Sequence, residues 1–180
     1  MRKLKLEELN RLSVDDFREA DKTPIVLVLD NVRSALNVGS AFRTADAFAL
    51  KKVYLCGITA QPPHREILKT ALGATESVDW EYKATVEEAI TALQGEGYQI
   101  WAAEQAEQRT WLQEFPLPEN QPLAVVFGNE VTGVSQSVMD AADGAIEIPQ
   151  FGTKHSLNVS VSVGIVVWEL FRRLRFEAKG

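Results

Sequence analysis

Five short apolar runs, rich in β-branched residues and closed by polar or glycine turns, constrain this chain most: Pro24–Asp30, Val53–Gly57, Tyr98–Ala103, Leu123–Gly128 and Ala145–Ile148. Their apolar character is continuous, unlike the alternation of a strand with one wet face. Continuous apolar strands are buried on both faces, and they belong to parallel sheets whose crossover connections lay helices over each side. Helical signals fall between the runs. Thr85-Val86-Glu87-Glu88 reads as a capping box that opens a helix to about Leu93, with Gly95 and Gly97 to stop it. Ser135 is placed to cap another helix running to Ala142. Strands alternating with helices predict an α/β domain built on a parallel sheet.

The last element is ambiguous by pattern. Val159-Ser160-Val161-Ser162-Val163 alternates with period two, a strand signal. Yet only Gly164 interrupts the run from Asn158 to Phe176, which is longer than strands ordinarily reach. A helix is therefore predicted. It sets Ser156, Ser160 and Gly164 in one small-residue line that lets another backbone come close.

At 180 residues the length suits one domain with a real core. Residues 1–22 read as a short helical extension and 23–180 as the main domain, while Pro116, Pro118 and Pro122 mark an irregular connection inside it. No apolar run approaches the roughly 20 residues needed to cross a bilayer. The N-terminus reads as an amphipathic helix start with no leader pattern. The single cysteine, Cys56, lies in an apolar run, is read as a core residue and fits a cytoplasmic location. Two histidines and one cysteine at no ligand spacing lead us to expect no metal.

The net charge of −6 argues at first against a nucleic-acid partner. Its distribution along the chain weakens that objection. Residues 76–119 hold ten acidic and two basic side chains, so the remainder is net basic. Residues 22–75 carry seven basic against three acidic, and the tail adds Arg172, Arg173, Arg175 and Lys179 against Glu177. A basic face and an acidic back are expected from this division.

Three motifs carry the chemistry: Asn37-Val38-Gly39-Ser40-Ala41-Phe42-Arg43-Thr44, Phe127-Gly128-Asn129-Glu130-Val131-Thr132-Gly133-Val134-Ser135, and the segment from Ile148 to Ser162. The second follows a strand, precedes a helix and has P-loop spacing. However, Val134 stands where that loop needs a lysine for the β- and γ-phosphates, so the nucleotide reading fails. Nor is there a G-x-G-x-x-G turn for a dinucleotide. Asn37 suits a helix cap, with Arg43 on the second turn beyond it. A helix start beside an arginine can cradle phosphate.

In this order, from about Pro24 to Phe176, the motifs resemble those of the SpoU family of RNA 2′-O-ribose methyltransferases, within the SPOUT superfamily. The resemblance implies a parallel-sheet SPOUT fold with a C-terminal trefoil knot, S-adenosylmethionine (SAM) as methyl donor, RNA as substrate and a homodimer. It assigns the reaction to Arg43, Asn37, Glu130, Ser156 and Asn158. The expected cofactor pocket takes in Ala102, Ala103, Glu104, Phe127, Gly128, Asn129, Gly133, Ile148, Ser156 and Leu157. Gly128, Gly133 and Gly152 permit tight turns and close approach to a ligand. Arg43, Lys51, Lys52, Lys154 and His155 are the expected RNA contacts. Guanidinium groups stay protonated at neutral pH, so Arg43 is expected to pin phosphate and stabilise a developing alkoxide rather than act as a base. The chain shows no separate RNA-binding segment of the kind some relatives carry, which favours tRNA over rRNA. The alternative is a non-catalytic RNA-binding dimer of the same fold, and the complete motif set weighs against it.

Overall fold

The computed structural model describes residues 1–118 and 121–177; Glu119 and Lys179, which entered the charge balance, lie outside them. Seven strands form one parallel sheet: β1 (Thr23–Asp30), β2 (Leu50–Cys56), β3 (Trp80–Lys83), β4 (Gln99–Ala103), β5 (Thr110–Trp111), β6 (Leu123–Phe127) and β7 (Gly144–Glu147). Their order is β3-β2-β1-β6-β4-β7-β5.

The predicted doubly covered sheet is found. Successive β1 residues alternate between two cores. Ile25, Leu27 and Leu29 join one core, while Val26 and Val28 join the other, all at most 1% exposed. The first core packs under α1 (Val14–Glu19), α2 (Ala35–Ala47), α3 (Arg65–Ala71), α4 (Ala74–Ser77) and α7 (Val159–Arg172). The second lies under α5 (Val86–Gly95) and α6 (Gln136–Ala141). Cys56 is buried there, and burial pushes its thiol up to about 12, so it behaves as the core residue expected.

The differences from expectation have local causes. β3 and β5 were not signalled, because both are short edge strands with polar or single-turn sequences. β2 starts at Leu50, taking in exposed Lys51 and half-buried Lys52; Lys52 is held there by a 2.7 Å ion pair to Glu81 on β3. In α5, Thr85 Oγ accepts from Glu88 N as predicted, but Glu88 reaches back to Ala84 N rather than to the cap residue. Ser135 precedes α6 without capping it. Its hydroxyl sits 3.2 Å from Ser137 Oγ, close to Asp30, a buried acid whose carboxyl desolvation raises above its ordinary value. The N-terminal segment is a 3-10 turn at Leu6–Leu9 followed by α1, whose Phe17 enters the first core.

The final element is the predicted helix. Asn158 caps it, so Ser156 lies before it and the small-residue row reduces to Ser160 and Gly164. Beyond Arg172 a single π-type turn covers Arg173–Glu177.

The acidic stretch forms only part of a back face: its α5 lies over the second core, opposite α2 and α3, while its strands run through the sheet. Residues 76–119 cross from β3 at one sheet edge to β5 at the other. Their Glu81 pairs with Lys83 of the same stretch and with Lys52 of the basic one, and the second pair joins the two stretches. Two of the three tail arginines are also engaged: Arg172 with Glu169 and Glu177, and Arg173 with the Phe115 carbonyl.

Candidate functional site

β1, β6, β4 and β7 are neighbours in the sheet, so the loops leaving their C-terminal ends crowd together. In open parallel sheets this is where ligands bind. The three motifs meet here through hydrogen bonds.

α2 begins after Ser34, whose Oγ accepts from Asn37 N at 3.4 Å. Asn37 is therefore three residues inside the helix rather than its cap. An α-helix leaves its first N–H groups unpaired, and a carboxylate placed there satisfies them and suits the positive end of the helix dipole. Glu130, in the loop after β6, does this. It accepts from Arg33 N at 2.8 Å, Ser34 N at 3.0 Å and Asn37 Nδ2 at 3.0 Å. Burial opposes its charge, yet these donors prevail and hold the carboxyl below its ordinary value.

The chain of bonds continues. Asn158 Nδ2 donates to Asn37 Oδ1 at 3.2 Å, and Asn158 Oδ1 accepts from Ser160 N at 2.9 Å and Ser160 Oγ at 2.6 Å. One line of contacts thus ties the loop after β6 to the start of α2 and on to the start of α7. Asn129 braces it: its Nδ2 donates to Asn31 O at 2.8 Å, and its Oδ1 accepts from Val131 N and Thr132 N.

The loop from Gly128 to Val134 closes on itself. Asn129 and Gly133 exchange backbone bonds of 3.0 and 2.9 Å. A Cβ on Gly128 would come within 2.2 Å of the Gly133 carbonyl carbon, and Gly133, at φ +70°, would bring one within 2.2 Å of Glu104 Oε2. These glycines are required by contacts inside the protein; around Gly152 the space is open. Val134 is buried against the second core, in keeping with the failed P-loop reading.

Glu104, at the end of β4, accepts from Val134 N at 2.8 Å, and Gln105 Nε2 donates to His155 O at 2.7 Å. The loop after β4 therefore touches both the loop after β6 and the segment before α7. Ala102 is buried in β4 beside Val126, Ala103 pairs with Ile146, and Phe127 ends β6 at 2% exposure. Ile148 is half-buried, and Leu157 is 38% exposed on the same segment. Ser156, Lys154 and His155 are exposed.

Not every expected residue joins the cluster. Arg43 lies six residues beyond Asn37, about 9 Å along the helix and roughly 120° around it. It is exposed on another face, away from Glu130. Lys51 and Lys52 stand at the start of β2, separated from the loop cluster by a seven-residue strand, roughly 20 Å at 3.3 Å per residue. Absent from the expected site residues were Ser34, Gln105 and Ser160, the last read only as part of the small-residue line. Ser34 carried a signal, a serine just ahead of an apolar helical run; Gln105 carried none.

Residues 24–168 match the family described as the SpoU rRNA Methylase family. Among curated proteins the chain is 32% identical over 173 residues to the 23S rRNA (guanosine-2′-O-)-methyltransferase RlmB of Vibrio parahaemolyticus, covering 96% of this chain and 68% of that protein. It is 30% identical over 151 residues to the tRNA (guanosine(18)-2′-O)-methyltransferase of Borreliella burgdorferi, covering 84% and 67%. Against a putative TrmH family tRNA/rRNA methyltransferase of Staphylococcus saprophyticus it spans 61% of the relative's length. The fold is similar to that of the A. aeolicus TrmH/SpoU tRNA modifying enzyme, with a TM-score of 0.79 at 26% identity over 92% of this chain and 84% of that one. An AdoMet-bound rRNA methyltransferase from Sinorhizobium meliloti gives a TM-score of 0.78 at 26% identity, covering 89% and 60%.

Proposed function

Because the chain belongs to the SpoU rRNA Methylase family, we propose that it transfers the methyl group of SAM to a ribose 2′-hydroxyl of structured RNA. One observation carries this reading: the Glu130–Asn37–Asn158–Ser160 chain of hydrogen bonds, which joins residues from all three motifs at the C-terminal ends of the strands.

The residues of this loop cluster fit SAM. Glu104 offers a carboxylate for hydroxyl or ammonium donors, Ile148 and Leu157 offer apolar surface, and the open space over Gly152 leaves room beside exposed backbone. Bound there, SAM would supply an activated methyl group on a sulfonium. Glu130 and Asn37 then act as positioning residues. Their polar atoms are already engaged with α2 and Asn158, so they fix the entry of α7 rather than handle a proton. Arg43, on another face of α2 from the bonds to Glu130, contributes positive charge for an RNA phosphate beside the target ribose. Ser156, Lys154 and His155, on the exposed segment before α7, are placed for RNA.

The reading extends to the assembly. The bond from Gln105 to the His155 carbonyl and that from Asn158 to Asn37 hold residues 149–158 across the neighbouring loop, in support of a C-terminal trefoil knot. Val161, Ile165 and Trp168 repeat at helical spacing on α7 and are 49, 37 and 48% exposed, an apolar stripe suited to a second copy of the chain. Residues 23–180 form the catalytic domain and 1–22 an extension to it. We place the enzyme in the cytoplasm; among the described residues no helix is long and apolar enough to cross a membrane. tRNA is taken as the first substrate, and the relatives' names divide between 23S rRNA and tRNA.

The test is methyl transfer from labelled SAM to unmodified tRNA transcripts and to 23S rRNA, followed by nucleoside analysis. A 2′-O-methylated nucleoside is expected. RNA binding without product would instead favour the non-catalytic RNA-binding alternative.

A further inference from the structure

A cavity of about 450 Å3 opens between α2 and α3, lined by Ser40, Arg43, Thr44, Phe48, Lys69 and Thr70 among others. Its geometry is set by close helix packing. A Cβ on Gly39 would fall 2.1 Å from Thr70 Oγ and 2.4 Å from the Ile67 carbonyl, so only glycine lets the two helices touch at that point. Residues four apart share a helix face. Arg43, one turn beyond Gly39, therefore faces α3, and Lys69 precedes the Thr70 that Gly39 meets.

The charge of this groove is one-sided. Arg43 and Lys69 are its only charged lining residues, and neither forms an ion pair among the described residues. Asp46 on α2 already accepts from Ser77 Oγ at 2.5 Å. The hydroxyls of Ser40 and Thr70 both donate to the Leu36 carbonyl, at 2.9 and 3.0 Å. Their protons are turned away from a ligand, which leaves the two cations as the charged donors facing the groove. Two like charges flanking one cavity repel unless an anion lies between them. A planar guanidinium can grip two oxygens while an ammonium acts as a point charge, a combination that suits the two free oxygens of a phosphodiester.

We propose that the α2–α3 groove holds an RNA phosphodiester flanking the target ribose, with Lys69 as a second phosphate-binding residue beside Arg43. This rests on the RNA methyltransferase reading and extends it to a residue outside the three motifs. Lys69 takes no part at the reacting atoms, so it governs RNA affinity and not the chemical step.

The experiment compares wild type with Lys69→Ala, Lys69→Glu and Lys69→Arg, using an unmodified tRNA transcript and a 23S rRNA fragment as probes. Each phosphate contact contributes roughly 0.7–0.9 to the slope of log affinity against log salt. Lys69→Ala should flatten that slope by about one contact and raise KM for RNA several-fold while kcat at saturation holds. Lys69→Glu should be worse and Lys69→Arg close to wild type. SAM affinity, read by calorimetry, should be unchanged in all three, which also certifies their folding. A Lys69→Ala slope equal to wild type, in a protein that does bind RNA, overturns the groove and leaves the proposed activity standing. Altered sedimentation with an unchanged slope also overturns it and assigns the groove to a protein contact. A wild type that binds neither RNA defeats both readings together.

Discussion

The bond between Glu130 and Asn37 offers the sharpest test of how the three motifs are held together. The perturbation is a double-mutant cycle: Glu130→Ala, Asn37→Ala and both. Glu130 satisfies two backbone N–H groups at the start of α2 and the Asn37 amide, at 2.8 to 3.0 Å. Losing a helix-capping side chain costs ~1 kcal/mol, and the favourable charge at the helix dipole adds roughly 0.3–1 kcal/mol at an exposed site. Since Glu130 is exposed, water can replace part of what is removed. We expect about 2 kcal/mol for Glu130→Ala, a Tm lowered by roughly 4–8 °C in a protein of this size. Asn37→Ala should cost about 1 kcal/mol, and the pair should couple by roughly 0.5–1.5 kcal/mol. The assay is urea unfolding at matched m-values. Additivity within about 0.3 kcal/mol would refute the reasoning, because independent sites behave that way. pH supplies a second readout. The folded Glu130 carboxyl is held below its ordinary value, so its stabilisation is complete above the unfolded carboxyl pKa, about 4.3, and disappears as pH falls through the lower folded value. The gap between wild type and Glu130→Ala should therefore close in acid. A gap that widened there would reverse the sign and discard the account.

Arg43→Ala should abolish methyl transfer while calorimetric SAM binding survives; Arg43→Lys should keep a trace, and a lysine variant recovering near wild-type single-turnover rates at high pH would make this residue a base instead. Gly164→Leu should leave the folded monomer almost undisturbed, since nothing lies within 4 Å of a Cβ there in the single chain, yet weaken self-association in sedimentation; an undiminished dimer would move the interface elsewhere. Gly133→Ala should cost stability and SAM affinity together, because it meets Glu104 at a positive φ; adding Glu104→Ala should restore only the stability lost to the clash and not SAM affinity, and full restoration of stability would show that the backbone angle costs nothing.

The sequence by itself determined the five inner strands of the sheet and the family. Five apolar runs marked the buried strands because continuous β-branched stretches have few stable placements other than a doubly covered parallel sheet, and the alternation of Ile25, Leu27 and Leu29 with Val26 and Val28 between two cores bears this out. The helix of the last element was legible from its length, and the motifs from residue identity at fixed local spacing. What only tertiary structure decided was contact between residues distant in sequence. Glu130 meets residues 93 to 97 positions away, and Asn158 meets Asn37 across 121, pairings that no local period encodes. The same holds for the glycines: a positive φ is a local property, but Gly133 lies against Glu104 and Gly39 against Thr70 only because the fold brings them there. Charge followed this rule most strictly. Counting placed acids and bases in separate stretches, while the sheet order set Glu81 beside Lys52 and left Arg43 and Lys69 together in one groove. Electrostatic partnership depends on separation in space, which strand order and helix crossing set, and residue spacing along the chain dictates that separation only within a few positions.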